Sequence, residues 1–259
     1  MSYRRSVIKT EQQGTALVLT IDRPEAGNAI NGAAAEALEA AVVAAAKDQT
    51  LRSVILTGEG EKFFCAGGDI KEYRAVQDRA ALDEVMGRSR RALRGLEALD
   101  IPVIAAINGY CLGGGFEMIL AADIRLADAE ARFALPQARL GIIPGWHGLE
   151  RLVGLVGRGQ AIRLAGGGAG FDAAEAAGLG LIDEVVADKP VLSRALEIAA
   201  EFNQAAPLAL KAVKKVAAMA SPSAANVSED IFAELWFSAD HREAEAAFAE
   251  KRSPKFEGR

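Results

Sequence analysis

Two glycine-containing segments of this 259-residue chain are suited to hold a developing negative charge. The first glycine segment is residues 65–69 (CAGGD) and the second is residues 113–117 (GGGFE). An apolar run precedes each one, at residues 53–56 and 103–106, and a helical pattern follows. Glycine lets a backbone approach a ligand closely, and a helix start carries unpaired N–H groups and the positive end of the helix dipole. The two segments therefore predict an oxyanion hole, a pair of amide donors for a carbonyl oxygen that gains charge.

Glu117 is the acidic side chain that this arrangement places beside the predicted hole. It lies three residues after Gly114, so both residues share nearly the same face of a helix that begins there. A partly apolar pocket raises the pKa of a carboxyl group, which suits it to exchange protons with a substrate near neutral pH. The alternative is a helix N-terminal glutamate that the dipole stabilises. The presence of two glycine segments favours the catalytic interpretation.

Alternating strands and helices are predicted to position these residues. Residues 7–21 read as a hairpin that turns at Gln13 and Gly14, and Asn31 is a credible N-cap for a helix that runs to about Lys47. Further strands are predicted at residues 52–57, 103–107 and 123–127, with helices at residues 79–99 and 114–122. Such alternation predicts an α/β layered domain with crossover connections.

The chain changes character after Val186, where the pattern becomes almost wholly helical. The helices expected there span residues 190–203, 207–219, 224–236 and 241–250. We therefore divide the chain into a core of residues 1–190, which carries the site, and a helical C-terminal region of residues 191–259.

Composition excludes several classes of protein. No apolar run approaches the roughly 20 residues that span a bilayer, and residues 1–5 lead into a strand-like segment, so a cytoplasmic protein is expected. Two cysteines, Cys65 and Cys111, are too few for a disulfide framework, and no metal site is expected. A net charge of -5 without a basic tract disfavours nucleic-acid binding. Neither a G-x-G-x-x-G after a strand nor a P-loop is present, which argues against a dinucleotide oxidoreductase.

Three segments in this order, residues 64–71, 109–117 and 133–145, resemble the enoyl-CoA hydratase/isomerase family, also called the crotonase superfamily. Further matches extend the resemblance over nearly the whole chain and lie at Arg23, Pro24, Asn28 and residues 251–256. The resemblance implies an α/β fold, a crotonase-like spiral of ββα turns, with a helical C-terminal region that forms homotrimers, commonly paired into homohexamers.

The same resemblance implies an acyl-CoA substrate whose thioester oxygen accepts hydrogen bonds from the N–H groups of Gly68 and Gly114. No separate cofactor is expected, because coenzyme A is part of the substrate. The residues implied in binding coenzyme A are Arg23, Lys62, Ala66, Asp69, Ile70 and Lys71. Within this set, the resemblance places residues 66–70 along the adenine pocket. Each of the two lysines either meets a phosphate of coenzyme A or is an ordinary exposed side chain.

Gln137 departs from the family pattern. Family hydratases have a second glutamate twenty residues after the position of Glu117, in a Pro-Glu segment, whereas here Gln137 follows Pro136. An amide hydrogen-bonds water but exchanges no proton at ordinary pH. One interpretation is that Glu117 alone activates water and delivers its proton, while Gln137 only orients the water.

A second interpretation involves Trp146 and His147, which stand where the family usually has small residues. His147 replaces the missing acid with a group that titrates near neutrality, or caps the helix that follows. Trp146 is expected to shape the acyl pocket, either by limiting acyl size or by offering a flat surface to an unsaturated or ring substrate.

The sequence thus predicts an acyl-CoA lyase of the enoyl-CoA hydratase type, which adds water to a 2-enoyl-CoA or removes it from a 3-hydroxyacyl-CoA. The alternatives within enzymes are a single-carboxylate enoyl-CoA isomerase and a decarboxylase of a malonyl-type acyl-CoA. From another class comes a noncatalytic relative that binds acyl-CoA or RNA, although the acidic charge argues against RNA.

Overall fold

The strands of the protein form two sheets in a computed structural model, which describes residues 6–219 and 225–259. Predictions about residues 1–5 and residue 224 lie outside this range. The strands are β1 Ile8–Gln13, β2 Ala16–Ile21, β3 Ser53–Gly58, β4 Phe63–Cys65, β5 Val103–Ile107, β6 Tyr110–Leu112, β7 Ile124–Asp128, β8 Arg132–Ala134, β9 Phe171–Asp172 and β10 Glu184–Val186. The helices are α1 Gly32–Lys47, α2 Ile70–Tyr73, α3 Arg79–Glu97, α4 Gly114–Ile119, α5 Gly148–Gly167, α6 Ala173–Gly178, α7 Val191–Glu201, α8 Pro207–Met219, α9 Ala225–Trp236 and α10 Ala239–Glu250.

Successive strands are shared between the two sheets. The first sheet has the order β1-β2-β3-β5-β7-β10 and the second β4-β6-β8-β9. The strand pairs β3/β4, β5/β6 and β7/β8 each send their first strand to the first sheet and their second strand to the second sheet, and helical segments follow each pair. The chain therefore winds as a spiral of ββα turns, with parallel pairing between equivalent strands of successive turns.

The longer predicted elements agree with the structure to within a few residues. The hairpin β1–β2 is antiparallel, and the Asn31 side chain accepts a hydrogen bond from the N–H of Ala34 as the N-cap of α1. The strands of the second sheet are missing from the prediction, because segments of two or three residues are too short for a period to register. The sequence predicts that the apolar runs at residues 53–56 and 103–106 lead directly into the glycine segments. In the structure the short strands β4 and β6 lie between them.

The first sheet is buried on both faces, as its alternating side chains show. Leu56 and Ile107 face the main core, which includes residues of α1 and α3. Ile55 and Ile104 face a second apolar cluster, which α7 covers with Val191 and other small apolar side chains. Helix α7 thus packs directly on the first sheet of the core. The division of the chain at residue 190 stays a prediction.

Asn28 ties the loop after β2 to the strand that leads into the first glycine segment. It is fully buried with a left-handed backbone (φ 55°). Its side chain accepts a hydrogen bond from the N–H of Arg23 at 3.0 Å and donates to the carbonyl oxygens of Glu59 at 3.0 Å and Phe63 at 2.6 Å. The loop is therefore held against the first glycine segment by a buried and fully used amide.

Candidate active site

The first glycine segment presents one backbone N–H without a partner. The N–H of Ile30 donates to the carbonyl of Gly67 at 2.8 Å, and the N–H of Asp69 donates to the carbonyl of Ile30 at 2.9 Å. These two hydrogen bonds pair Ile30 with Gly68 in a parallel bridge and involve the residues on either side of Gly68. The N–H of Gly68 itself has no acceptor in the described part of the chain. Gly67 has a φ of 106°, a conformation that favours glycine.

The second glycine segment also presents one backbone N–H without a partner, at the start of α4. Gly113 is the N-cap with a φ of 54°, and its N–H donates to the carbonyl of Ala134 at 2.9 Å. Its carbonyl accepts the N–H of Glu117 at 3.0 Å. The N–H of Gly114 finds no acceptor within residues 6–219 and 225–259, as expected for a helix's first turn.

The two glycine segments are in backbone contact. Parallel pairing of β4 with β6 places Cys65 opposite Cys111, so both segments leave the second sheet side by side. A Cβ atom added to Gly67 would lie 3.0 Å from the nitrogen of Gly114, and one added to Gly115 would overlap the carbonyl oxygen of Cys65. Only residues without side chains permit this approach. The structure therefore brings the two predicted donor segments together, with both predicted N–H groups unpaired.

Glu117 lies beside them with its carboxylate held by four donors. The side chain is buried, with 2% of the residue exposed. Its Oε1 accepts from Gln137 Nε2 at 3.2 Å and from the N–H of Gly145 at 3.1 Å, and its Oε2 accepts from the N–H groups of Trp146 at 2.6 Å and Gly148 at 2.9 Å. The loop of residues 145–148 thus wraps the carboxylate with three backbone amides, an anion-binding nest.

The two carboxylate oxygens of Glu117 differ in how firmly they are held. Both bonds to Oε2 are shorter than both bonds to Oε1, so Oε2 is the anchored oxygen and Oε1 the one that exchanges a partner at lower cost. Burial raises the pKa of the Glu117 carboxyl, while the three amide bonds and the charge of Arg151 act in the opposite direction.

Gln137 keeps one polar atom free. It is buried in the short helical turn Pro136–Leu140, and its Nε2 faces Glu117. Its Oε1 has no hydrogen-bond partner within the described chain. A buried acceptor left without a donor costs about 1–3 kcal/mol, so this oxygen points to a bound water or substrate hydroxyl as its partner.

His147 serves the site through its backbone. Its left-handed conformation (φ 64°) turns the loop so that the neighbouring N–H groups reach Glu117. It is the N-cap residue of α5, but its side chain makes no capping bond. The ring instead lies beside Arg94, at 3.2 Å, and Glu150, at 3.6 Å, and among the described contacts it has none with Glu117.

Trp146 is buried directly against the second glycine segment. A Cβ atom on Gly114 would lie 2.5 Å from its ring. The indole therefore forms a wall beside one of the two unpaired N–H groups, which is where the sequence places the acyl pocket.

The residues expected to bind coenzyme A lie around the first glycine segment. Arg23 and Asp69 pair with each other at 2.9 Å, and Asp69 also accepts the N–H of Lys71. The ammonium of Lys62 lies 5.6 Å from the centre of the Phe63 ring. Ile70 and both lysines are exposed. A cavity of about 560 Å³ is lined by residues 24–27, 59–63 and Ala66, so it includes two of the predicted positions.

Three residues of the site escape the sequence prediction. Gly145 and Gly148 supply amides to Glu117, and Tyr73 lies over Gly68. The pair of glycines around Trp146 and His147 is a signal that could have indicated a tight loop. Tyr73 carries no such signal, because its place depends on how α2 folds back over the first glycine segment.

No cluster of three or more His, Cys, Asp or Glu side chains suited to a metal ion occurs in the part of the chain that the structure describes. Within the same residues, no helix is both long and apolar enough to cross a bilayer.

Comparison with known proteins identifies the family. The model of the enoyl-CoA hydratase/isomerase family matches residues 11–259. The chain is 37% identical over 257 residues to the short-chain-enoyl-CoA hydratase of Clostridium acetobutylicum, covering 96% of this chain and 95% of that protein. It is 38% identical over 259 residues to the carnitinyl-CoA dehydratase of Salmonella typhi, covering 96% and 97%. The crystal structure of an enoyl-CoA hydratase from Bacillus anthracis superposes with a TM-score of 0.93 at 32% identity, covering 98% and 100%.

The chain belongs to the enoyl-CoA hydratase/isomerase family. The resemblance noted in the sequence is confirmed, and so is the crotonase-like α/β spiral.

The contact between Gly148 and Glu117 gives a test of the nest. A Cβ atom at Gly148 would overlap Glu117 Cγ, so Gly148→Ala should push the carboxylate off its amides, cost about 1–3 kcal/mol of stability and lower activity. Gly154→Ala is the matched control in the same helix, since nothing lies within 4 Å of that position and alanine favours helices by up to about 1 kcal/mol. Urea unfolding of both variants measures the difference. Equal stabilities would contradict the arrangement around Glu117.

Proposed function

We propose that the chain is an acyl-CoA lyase of the enoyl-CoA hydratase type, which interconverts a 2-enoyl-CoA and a 3-hydroxyacyl-CoA. Family membership and relatives named for enoyl-CoA hydration support this. The observation that carries it is the buried Glu117 carboxylate beside two touching glycine segments, each of which keeps one N–H unpaired.

The two glycine N–H groups act on the thioester. When the thioester oxygen accepts hydrogen bonds from Gly68 and Gly114, the β-carbon of the enoyl group becomes more electrophilic. Addition of water there moves negative charge onto that oxygen, where the positive end of α4 also acts. Each such donor is worth about 3 kcal/mol in the transition state.

Glu117 and Gln137 bind the water, and Glu117 removes its proton. The water donates one O–H to Glu117 Oε1 and the other to the unpaired Oε1 of Gln137, while Glu117 Oε2 stays on its amides. As the water oxygen bonds to the β-carbon, its proton passes to Glu117, which then delivers that proton to the α-carbon of the enolate. Dehydration runs through the same steps in reverse. One carboxylate therefore serves as base and then acid.

A single-carboxylate isomerase or a decarboxylase of a malonyl-type acyl-CoA is the second candidate, favoured by Gln137 itself. Its amide has no proton to exchange, and either reaction needs only one group to deliver a proton to an enolate.

Trp146 and the cavity near Lys62 define the two ends of the proposed substrate. The buried indole beside Gly114 supports a pocket wall that restricts the size of the acyl group. Coenzyme A would place its adenine against residues 66–70 and its phosphates near Lys62 and Lys71, which supply point charges. A cytoplasmic location is part of the same proposal and is supported by the low cysteine content.

The acid-base role of Glu117 can be measured by hydration of crotonyl-CoA, followed as loss of the enoyl thioester absorbance. Replacing Glu117 with Gln should lower kcat at least about 100-fold, because the amide takes no proton. Unchanged turnover in this variant would show that another group is the catalyst. Wild-type protein that isomerises a 3-enoyl-CoA, or decarboxylates a malonyl-type CoA, without hydrating crotonyl-CoA would support the second candidate.

The pH dependence of kcat/KM tests the single-carboxylate mechanism. Glu117 must be ionised to accept a proton, so the rate should rise with pH through one ionisation and then level off. That ionisation should lie above the ordinary range of a glutamate, because burial raises the pKa of Glu117. Gln137→Glu should add a second ionisation and make the profile bell-shaped. A bell-shaped wild-type profile would argue that a second titrating group takes part.

We also propose that the protein is a homotrimer or a pair of trimers. Exposed apolar side chains support this, both in the loop beside the site and in the C-terminal helices; they are Leu140, Ile142, Ile143, Phe232, Trp236, Phe237 and Phe248. Light scattering on the eluting protein should give three or six times the 27.2 kDa chain mass. A stable monomer would contradict the proposal.

A further inference from the structure

Two aromatic side chains cover the two glycines that carry the unpaired N–H groups. Tyr73 is the last residue of α2, and the hydroxyl end of its ring fills the space that a side chain on Gly68 would need. The six-membered ring of Trp146 fills the corresponding space at Gly114. One wall of the proposed acyl pocket is therefore a Tyr73–Trp146 pair.

The Trp146 indole N–H lies within reach of the Tyr73 hydroxyl, and the phenolic proton of that hydroxyl has no acceptor among the described residues. Because an indole N–H only donates, it acts on the Tyr73 oxygen and cannot accept the phenolic proton. The phenolic proton of Tyr73 then needs an acceptor of its own. No described residue supplies one, since the one side chain that acts on the Tyr73 hydroxyl through a hydrogen-bonding group is the indole of Trp146, which only donates. A partly buried donor in this state is stabilised by a ligand that brings an acceptor.

The hydroxyl also lies near the catalytic carboxylate. Burial raises the pKa of Tyr73, and the charges of Glu72 and Glu117 act in the same direction. The group is therefore a neutral donor throughout the physiological pH range. The Tyr73 hydroxyl lies beside Gly68, whose N–H binds the thioester oxygen in the proposed mechanism. It is also within electrostatic reach of Glu117, which exchanges protons with groups on the α- and β-carbons in that mechanism.

We propose that Tyr73 is a specificity residue whose hydroxyl donates a hydrogen bond to an oxygen on the β-carbon of the acyl group. Trp146 fixes the direction of that donor through its N–H. The site then prefers a 3-hydroxy- or 3-oxoacyl thioester to a saturated one of equal length. This inference rests on the proposed function only in placing an acyl-CoA in the pocket.

Calorimetric binding of two unreactive thioesters tests the proposal. Acetoacetyl-CoA carries an oxygen on the β-carbon, and butyryl-CoA has the same length without one. Tyr73→Phe keeps the ring and removes the hydroxyl, so it should weaken acetoacetyl-CoA roughly tenfold and butyryl-CoA less than about twofold. Trp146→Phe removes the orienting N–H and should shift selectivity in the same direction.

Tyr110→Phe is the matched control. Tyr110 is the other tyrosine among the described residues, it is 42% exposed and it packs on Phe63, so loss of its hydroxyl should leave both affinities unchanged. Thermal melts of all variants establish that each is folded.

The outcomes separate this inference from the proposed function. Equal weakening of both thioesters by Tyr73→Phe, or no weakening of either, overturns the role of Tyr73. Selective weakening supports it even if the wild-type protein fails to hydrate crotonyl-CoA, a result that would overturn the hydratase assignment alone. Failure of the wild-type protein to bind either thioester overturns both.

Discussion

The hydrogen bonds between the Glu117 carboxylate and the backbone of residues 145–148 are the interaction on which the site depends. A buried carboxylate is costly unless donors surround it, and here three amides and the Gln137 side chain supply them. The same bonds fix the loop that carries Trp146, and Trp146 in turn packs on Gly114. The Glu117 carboxylate is thus both the proposed acid-base group and the anchor of the loop that carries the proposed wall of the pocket.

The spiral of ββα turns explains why distant segments meet at this carboxylate. Each turn places a short strand in the second sheet, and β4, β6 and β8 pair in parallel, so the segments that follow them emerge at one edge. Those segments carry Gly68, Gly114 and Gln137. The first sheet, buried on both faces, supplies the rigid support for these loops.

Local patterns in the sequence were sufficient for much of this arrangement. The helix starts after the glycine segments, the cap at Asn31 and the three-residue spacing of Gly114 and Glu117 depend on neighbours within four residues, and the structure has all of them. The second sheet was missed because its strands are too short to show a period. The contacts of Glu117 with residues 145–148 and of Tyr73 with Gly68 were also out of reach, since they arise only when separate turns of the spiral stack.

A crystal structure with bound acetoacetyl-CoA would show whether the N–H groups of Gly68 and Gly114 together bind the thioester oxygen. We expect the thioester oxygen at about 2.9 Å from both the Gly68 and Gly114 nitrogens. We also expect Glu117 Oε2 to keep its bonds to the N–H groups of Trp146 and Gly148 while the acyl group lies against Oε1. A thioester bound elsewhere, or a Glu117 released from those amides, would contradict it.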